Sequence, residues 1–215
     1  KFGEVLDIGC GPGKYAVEFS KIADKVTAID ISQNMINFGV ENAKKLEINN
    51  IEFLKNIWSE IDLAQLDWKN KFDLVFASMS PAISDYETII KMNEASKNLC
   101  FMSGFVKRKD FLRDKLGSVL LEEYDKNFQG NKIYSAFNIL WQMGYCPKII
   151  YKDKVWLKQD TVDKMLQYYK NYFSMTKNLK LEDEEIIKEF IESNSVDGIV
   201  TEKIQSKIAW MCWEV

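Results

Sequence analysis

VLDIGCGPGKY, residues 5 to 15, is the stretch on which the reading of the whole chain turns. A short apolar run, EVLDI at 4 to 8, meets three alternating glycines, Gly9, Gly11 and Gly13. It leaves in a helical pattern with Tyr15, Ala16, Phe19, Ile22 and Ala23 on one face. Glycine tolerates the positive φ of a sharp turn and carries no side chain to hold a ligand off the backbone, so strand, tight loop and helix predict a place where main chain touches a small molecule. Two common loops of this kind fail on identity. The dinucleotide fingerprint GxGxxG needs glycine where the chain has Lys14, and the phosphate loop GxxxxGK[ST] needs glycine at Ile8 and Ser or Thr at Tyr15.

Outward from this stretch, strands alternate with helices. A second short strand, Lys25 to Ile29, ends at Asp30, and the helix after it carries Met35, Ile36, Val40 and Ala43 inward. A third strand falls near Ile51 to Leu54, and FDLVFAS at 72 to 78 is almost continuously apolar, as a parallel strand covered on both faces requires. A helix from Asp85 to Lys97 and a strand at 99 to 106 complete the regular part. The alternation then loosens: an inserted helix and loop at 109 to 128, a core helix at 132 to 143, a strand at 148 to 157, two amphipathic helices, and a last strand at 207 to 215. The class is α/β, with a mainly parallel sheet flanked by helices. A length of 215 residues suits one domain, with its core at about 1–108, 131–157 and 204–215 and helical insertions at about 109–130 and 158–203.

Composition removes several chemistries. The chain has no histidine, which excludes Ser-His-Asp and Cys-His arrangements and every His-ligated metal. Cys10, Cys100, Cys146 and Cys212 are far apart and form no CxxC pair, so no metal site or disulfide framework is expected. A formal charge of −3, with Arg108 and Arg113 the only arginines, argues against a nucleic-acid partner. No apolar run reaches the roughly 18 residues needed to span a bilayer, and the start has no secretory pattern, so a cytoplasmic protein without a membrane partner is expected.

The stretch at 5 to 15 resembles the first motif of class I S-adenosylmethionine-dependent methyltransferases, an acid followed by GxGxG, carried here by Asp7, Gly9, Gly11 and Gly13. The resemblance covers about residues 4 to 106 well and the final strand more loosely. It implies a Rossmann-like sheet of seven strands, S-adenosylmethionine as cofactor and S-adenosylhomocysteine as product. It places Gly9, Cys10 and Gly11 beneath the methionine part and Asp7 near its ammonium, with Gly13 and Tyr15 also among the cofactor-binding residues. Asp30, ending the second strand, is then the acid that accepts hydrogen bonds from the ribose hydroxyls, with Ile31 and Met35 on the adenine. Folds of this kind usually have a helix over the cofactor ahead of the first strand; this chain begins almost inside that strand, and a missing N-terminal segment is expected.

Two departures from the family pattern matter. Where many relatives place an acid after the third strand, this chain has Asn56, Ile57 and Trp58. Asn56 or a backbone carbonyl is then expected to meet the adenine amino group, and Trp58 either stacks on the base or anchors the core. At the end of the fourth strand, ASMSPAI shares only Ser80 and Pro81 with the NPPY-like tetrapeptide of some amino-group methyltransferases. Ser78 and Met79 are expected to border the methionine and the acceptor, with Tyr86 nearby; Ser80 either orients an acceptor or caps the next helix. Tyr124, Tyr168, Tyr169, Tyr172 and Phe173 wall a pocket or fill a core. No catalytic residue is assigned, because an electrophilic methyl chiefly needs a nucleophile held in line. A small organic acceptor is the expected substrate. The competing readings are a nicotinamide-dependent oxidoreductase and a binding module that has lost turnover.

Overall fold

The computed structural model describes residues 2 to 124 and 131 to 215. The end of the expected 109–130 insertion, residues 125 to 130, lies outside them. The strands are β1 (Phe2–Ile8), β2 (Ala23–Asp30), β3 (Ile51–Lys55), β4 (Phe72–Ser78), β5 (Ser96–Asp110), β6 (Lys148–Thr161), β7 (Ser195–Val196) and β8 (Ile199–Glu214). Helices α1 (Lys14–Ser20), α2 (Gln33–Lys45), α3 (Tyr86–Ala95), α4 (Phe111–Leu120), α5 (Asn131–Gln142), α6 (Val162–Ser174) and α7 (Leu181–Ser193) connect them. The sheet runs in the order β3-β2-β1-β4-β5-β8-β6, and the two-residue β7 pairs with β8. Pairings among β1 to β5 are parallel. This is the Rossmann-like α/β class, a seven-strand path with one short addition. The addition follows from Asp197 and Gly198, both at positive φ (51° and 75°), which close the antiparallel β7–β8 hairpin.

Because the chain moves from β1 outward to β3 and then returns to β4 on the other side of β1, the strand order reverses between β1 and β4. In parallel sheets, ligands bind beyond the carboxyl ends of the strands at such a reversal. The glycine loop leaves β1 at that point.

The chain divides into two compact units, Lys1–Phe105 with Gly130–Tyr151 and Ala209–Val215, and Val106–Gln129 with Lys152–Ile208. In the first, β1, β2 and β4 bury Val5, Val26, Ala28, Leu74 and Phe76 together with Ala16 of α1 and Ile36 and Ala43 of α2. Phe76 stacks on Phe101 at 4.7 Å between centroids. The inward face of α2 differs from the sequence expectation at one position: Gly39 is buried and Val40 is exposed. The cause is Phe53 of β3, whose ring occupies the space a β-carbon at Gly39 would need and stands 2.7 Å from one placed on Gly13. Ala23 opens β2 instead of ending the first helix, and Tyr15 and Ile22 face solvent.

In the second unit, α4, α6 and α7 bury Leu116, Met165, Tyr169, Phe173, Ile187 and Ile191 around Val200 of β8. Tyr169 and Phe173 are therefore core residues. Beside them lies an ionic network. Asp110, fully buried, takes both the Arg108 guanidinium (2.7 and 2.8 Å) and Arg113 (2.9 Å). Arg113 donates its backbone N–H to Glu202 (3.1 Å), Tyr124 donates to Asp114 (2.9 Å), and burial pushes the Glu202 carboxyl up.

Two substitutions check this account. Gly13 sits at φ +80° with Phe53 against it, so Gly13→Ala is expected to cost about 1–3 kcal/mol in urea unfolding. Asp110→Ala leaves Arg108 and Arg113 without their shared carboxylate and should cost about 3–5 kcal/mol; a loss under ~1 kcal/mol would mean that the network adds nothing to the fold.

Candidate cofactor cleft

The glycine loop is shaped by the end of the neighbouring strand. Register pairs Ile8 with Ile29, so the Ile29 carbonyl lies where the chain leaves β1 and accepts the N–H groups of Gly9 (2.8 Å) and Cys10 (2.9 Å). One residue on, Asp30 Oδ2 accepts the Gly11 N–H at 2.9 Å and Oδ1 accepts the Ser32 N–H at 2.8 Å. Ser32 then caps α2 through the Met35 N–H. Gly9, Gly11 and Gly13 have φ of 70°, 53° and 80°, values at which a β-carbon is strained, and at Gly9 it would also collide with the Ser80 hydroxyl.

Beneath the loop, Asp7 is 2 % exposed. The Ala16 N–H bonds to its carboxyl, but Oδ2 has no partner among the described residues. Burial, with the Asp30 charge adding to it, pushes this carboxyl up to about 7. Cys10 is also turned into the core, where burial raises its thiol pKa.

At the end of β4, the Ser78 and Ser103 hydroxyls share a hydrogen bond (3.0 Å), and the Met79 N–H reaches Ser103 Oγ at 3.1 Å. Met79 has φ +54°, a conformation that costs a non-glycine residue about 1–3 kcal/mol and that folds tend to retain at functional sites. Ser80 follows, 4 % exposed, its hydroxyl accepting the Ala82 N–H. It does not cap α3: that role belongs to Asp85, which with Thr88 forms a reciprocal capping box. The third wall is a 3-10 turn at Trp58–Glu60. Trp58 is buried, donates its indole N–H to the Thr88 carbonyl (3.1 Å), and is held from outside by Lys91, whose ammonium meets the carbonyls of Trp58, Ser59 and Ile61.

These walls enclose a cleft of about 370 Å³, within the range of roughly 300–1,000 Å³ usual for small-molecule sites. Of the residues expected from sequence, the structure brings Gly9, Asp30, Ile31, Asn56, Ile57, Trp58 and Ser80 to its lining. Gly11 and Gly13 turn the loop without lining the cleft, and Asp7 and Cys10 lie below it. Tyr15 leans on Phe76 (5.0 Å between centroids), Met35 follows the α2 cap, Ser78 and Met79 hold the β4 end, and Tyr86 is exposed on the first turn of α3. Sequence reading missed Ile8, Ile29, Ser59, Pro81, Ala82, Ser84 and Asp85. Asp85 and Thr88 had a legible signal in the spacing of a helix cap.

A parallel sheet with an acid-GxGxG loop at its reversal point and an acid ending the next strand defines the class I methyltransferase fold. The chain belongs to the methyltransferase domain family, whose sequence profile matches residues 2 to 168. It is 39% identical over 97 residues to a probable cobalt-precorrin-6B C(15)-methyltransferase (decarboxylating) of Methanococcus maripaludis, covering 43% of this chain and 49% of that protein. An uncharacterized Haemophilus influenzae protein is 28% identical over 107 residues, 48% of this chain and 38% of that one. The chain thus spans about half or less of the length of these curated relatives. Among solved structures, a putative methyltransferase from Bacillus halodurans superposes with TM-score 0.59 at 11% identity, covering 98% of this chain and 91% of that one. The precorrin 8W decarboxylase of Methanobacterium thermoautotrophicum does so with TM-score 0.58 at 12% identity, covering 100% and 83%. These likenesses bear on the fold. No helix among the described residues is long and apolar enough to cross a membrane.

Asp7 yields a pH test. Its carboxyl ionises near 3.8 when unfolded and near 7 in the fold, so the native state holds the extra proton between those values. Stability from this group is full below about pH 4, declines as pH rises to about 7, and is flat above. Asp7→Asn should therefore match wild type at pH 4 and exceed it in urea unfolding at pH 8. A difference independent of pH would show that Asp7 is not the group responsible.

Proposed function

We propose that this chain is a methyltransferase that binds S-adenosylmethionine in the cleft and methylates a small-molecule acceptor. The observation that carries this reading is the glycine loop drawn onto Asp30 at the reversal point of the sheet. The residues present fit the cofactor. A β-carbon at Gly11 would meet nothing within 4 Å, so backbone is open there, and Asp7 Oδ2, without a partner among the described residues, suits a nearby ammonium.

In this reading Asp30 has a double role. Each carboxylate oxygen already accepts one backbone N–H, and the remaining lone pairs are available for the ribose hydroxyls. Ile31 and Met35 take one face of the adenine, while Asn56 and the backbone at Ile57 meet its edge. Trp58, with its N–H committed to Thr88, serves as a rigid wall. The bound cofactor supplies a sulfonium methyl that is already electrophilic, so what remains for the protein is to place a nucleophile and exclude water. Asp85 is poorly suited as a base, because the Thr88 N–H, with the Ser84 and Thr88 hydroxyls, holds its carboxyl below the usual carboxylate range. An acceptor that needs no prior deprotonation fits such a site best.

A nucleic-acid substrate fits poorly, since both arginines are engaged with Asp110. The same reading makes the two units parts of one catalytic domain working in the cytoplasm. Calorimetric titration with S-adenosylmethionine, S-adenosylhomocysteine and NAD separates this function from an oxidoreductase, and methyl release across a metabolite library separates it from a binding module without turnover. Asp30→Ala should weaken S-adenosylhomocysteine binding about tenfold to a hundredfold, the worth of charge-assisted hydrogen bonds of about 1.5–3 kcal/mol. Unchanged affinity, or binding of NAD alone, would refute the assignment.

A further inference from the structure

A second cavity, of about 470 Å³, lies against the segment that walls the cleft. The two share Pro81, Ser84 and Asp85, so this short segment is a partition with one hollow on each side. The second hollow is apolar over much of its lining, through Pro81, Ile83, Ile89 and Ile139. Its far wall is one face of α5, where Lys132, Ser135 and Ile139 recur at helical spacing while Ile133, Ala136 and Leu140 point into the core.

Lys132 is the feature that such a lining does not explain. Its side chain is half-buried, and its ammonium donates to the Ser80 carbonyl. No carboxylate among the described residues lies within ion-pairing distance of it. Asp85, on the same cavity, has its oxygens engaged by Ser84 and Thr88. An ammonium has three protons to donate, and a buried cation without an anion is costly. Lys91 shows the structural alternative in the same unit: three carbonyls meet it and it lines neither hollow. Burial lowers the Lys132 pKa.

Ser80 links the hollows. Its side chain abuts Gly9 in the cleft while its carbonyl holds Lys132. We propose that the methyl acceptor is an apolar molecule with one anionic group, its hydrocarbon in the cavity of Ile83, Ile89 and Ile139 and its anion on the Lys132 ammonium. That the bound molecule is the acceptor rests on the methyltransferase reading; the anion site itself stands on the cavity and on a lysine with no carboxylate partner among the described residues.

The test uses the full chain, titrated calorimetrically with phenylacetate, phenyl phosphate and the neutral phenylacetamide, with and without saturating S-adenosylhomocysteine. At least one anion is expected to bind tenfold or more tighter than the amide, and the better of the two tells carboxylate from phosphate. Lys132→Met should lose that preference and leave S-adenosylhomocysteine affinity unchanged, while Lys132→Arg keeps it. The proposal is overturned if the amide binds as well as the anions, if neither anion binds, or if Lys132→Met binds them like wild type. The comparison of anion with amide is made on wild type, so it stands even should a variant fail to fold. Failure of S-adenosylhomocysteine to bind would refute the cofactor reading separately, with the titrations on the free chain still deciding the anion site.

Discussion

The hydrogen bond from the Gly11 N–H to Asp30 is the constraint on which the site depends. It joins the loop leaving β1 to the end of β2, and the parallel register that sets Asp7 opposite Ala28 and Ile8 opposite Ile29 makes it reachable. The Ile29 carbonyl takes the two preceding N–H groups, so the loop is gathered by three donors onto two residues. A loop held this way has little freedom left to lose when a ligand arrives, and preorganisation of that kind favours binding without adding contacts. The glycines are the counterpart of this arrangement. Only residues without a β-carbon follow so tight a path with Ser80 pressing from one side and Phe53 from the other.

Two buried carboxylates, Asp110 in one unit and Asp7 in the other, differ in how their surroundings meet them. Asp110 is surrounded by cations and donors, which is how a fold tolerates a charge in its interior. Asp7 has one bonded oxygen and one without a partner among the described residues, at the foot of the glycine loop. An unsatisfied buried oxygen is a cost that the isolated fold gains nothing from. The contrast separates an acid whose oxygens the fold itself meets from one whose second oxygen the described residues leave unmet.

Much of the first unit was legible because local chemistry and tertiary position agree there. β4 falls where the continuous apolar run at 72 to 78 puts it, and Asp30 ends its strand as the acid after VTAI suggested. What escaped notice lies where a neighbour overrides the local pattern. Val40 looks like a core residue until Phe53 claims the space at Gly39, and the strands expected at 99 to 106, 148 to 157 and 207 to 215 run on as β5, β6 and β8 into polar and charged residues that carry no strand signal of their own. In the cleft, the glycine loop, Asp30 and the residues after β3 could be named from spacing. Apart from Asp85, whose helix-cap spacing was legible, the 81-to-85 wall could not, since its place depends on the left-handed Met79.

That wall also explains why strain is tolerated at Met79. A β4 strand continuing straight would carry Ser80 away from Gly9; the left-handed residue turns the chain so that the Ser80 side chain faces the glycine loop and its carbonyl faces Lys132. Ser103 supports the bend through two acceptors for the Met79 N–H, its own hydroxyl and its carbonyl. A local cost of about 1–3 kcal/mol thus yields a single residue that lines the cleft and holds the lysine of the second hollow. Without the left-handed turn at position 79, the Ser80 side chain would not face Gly9 while its carbonyl meets Lys132.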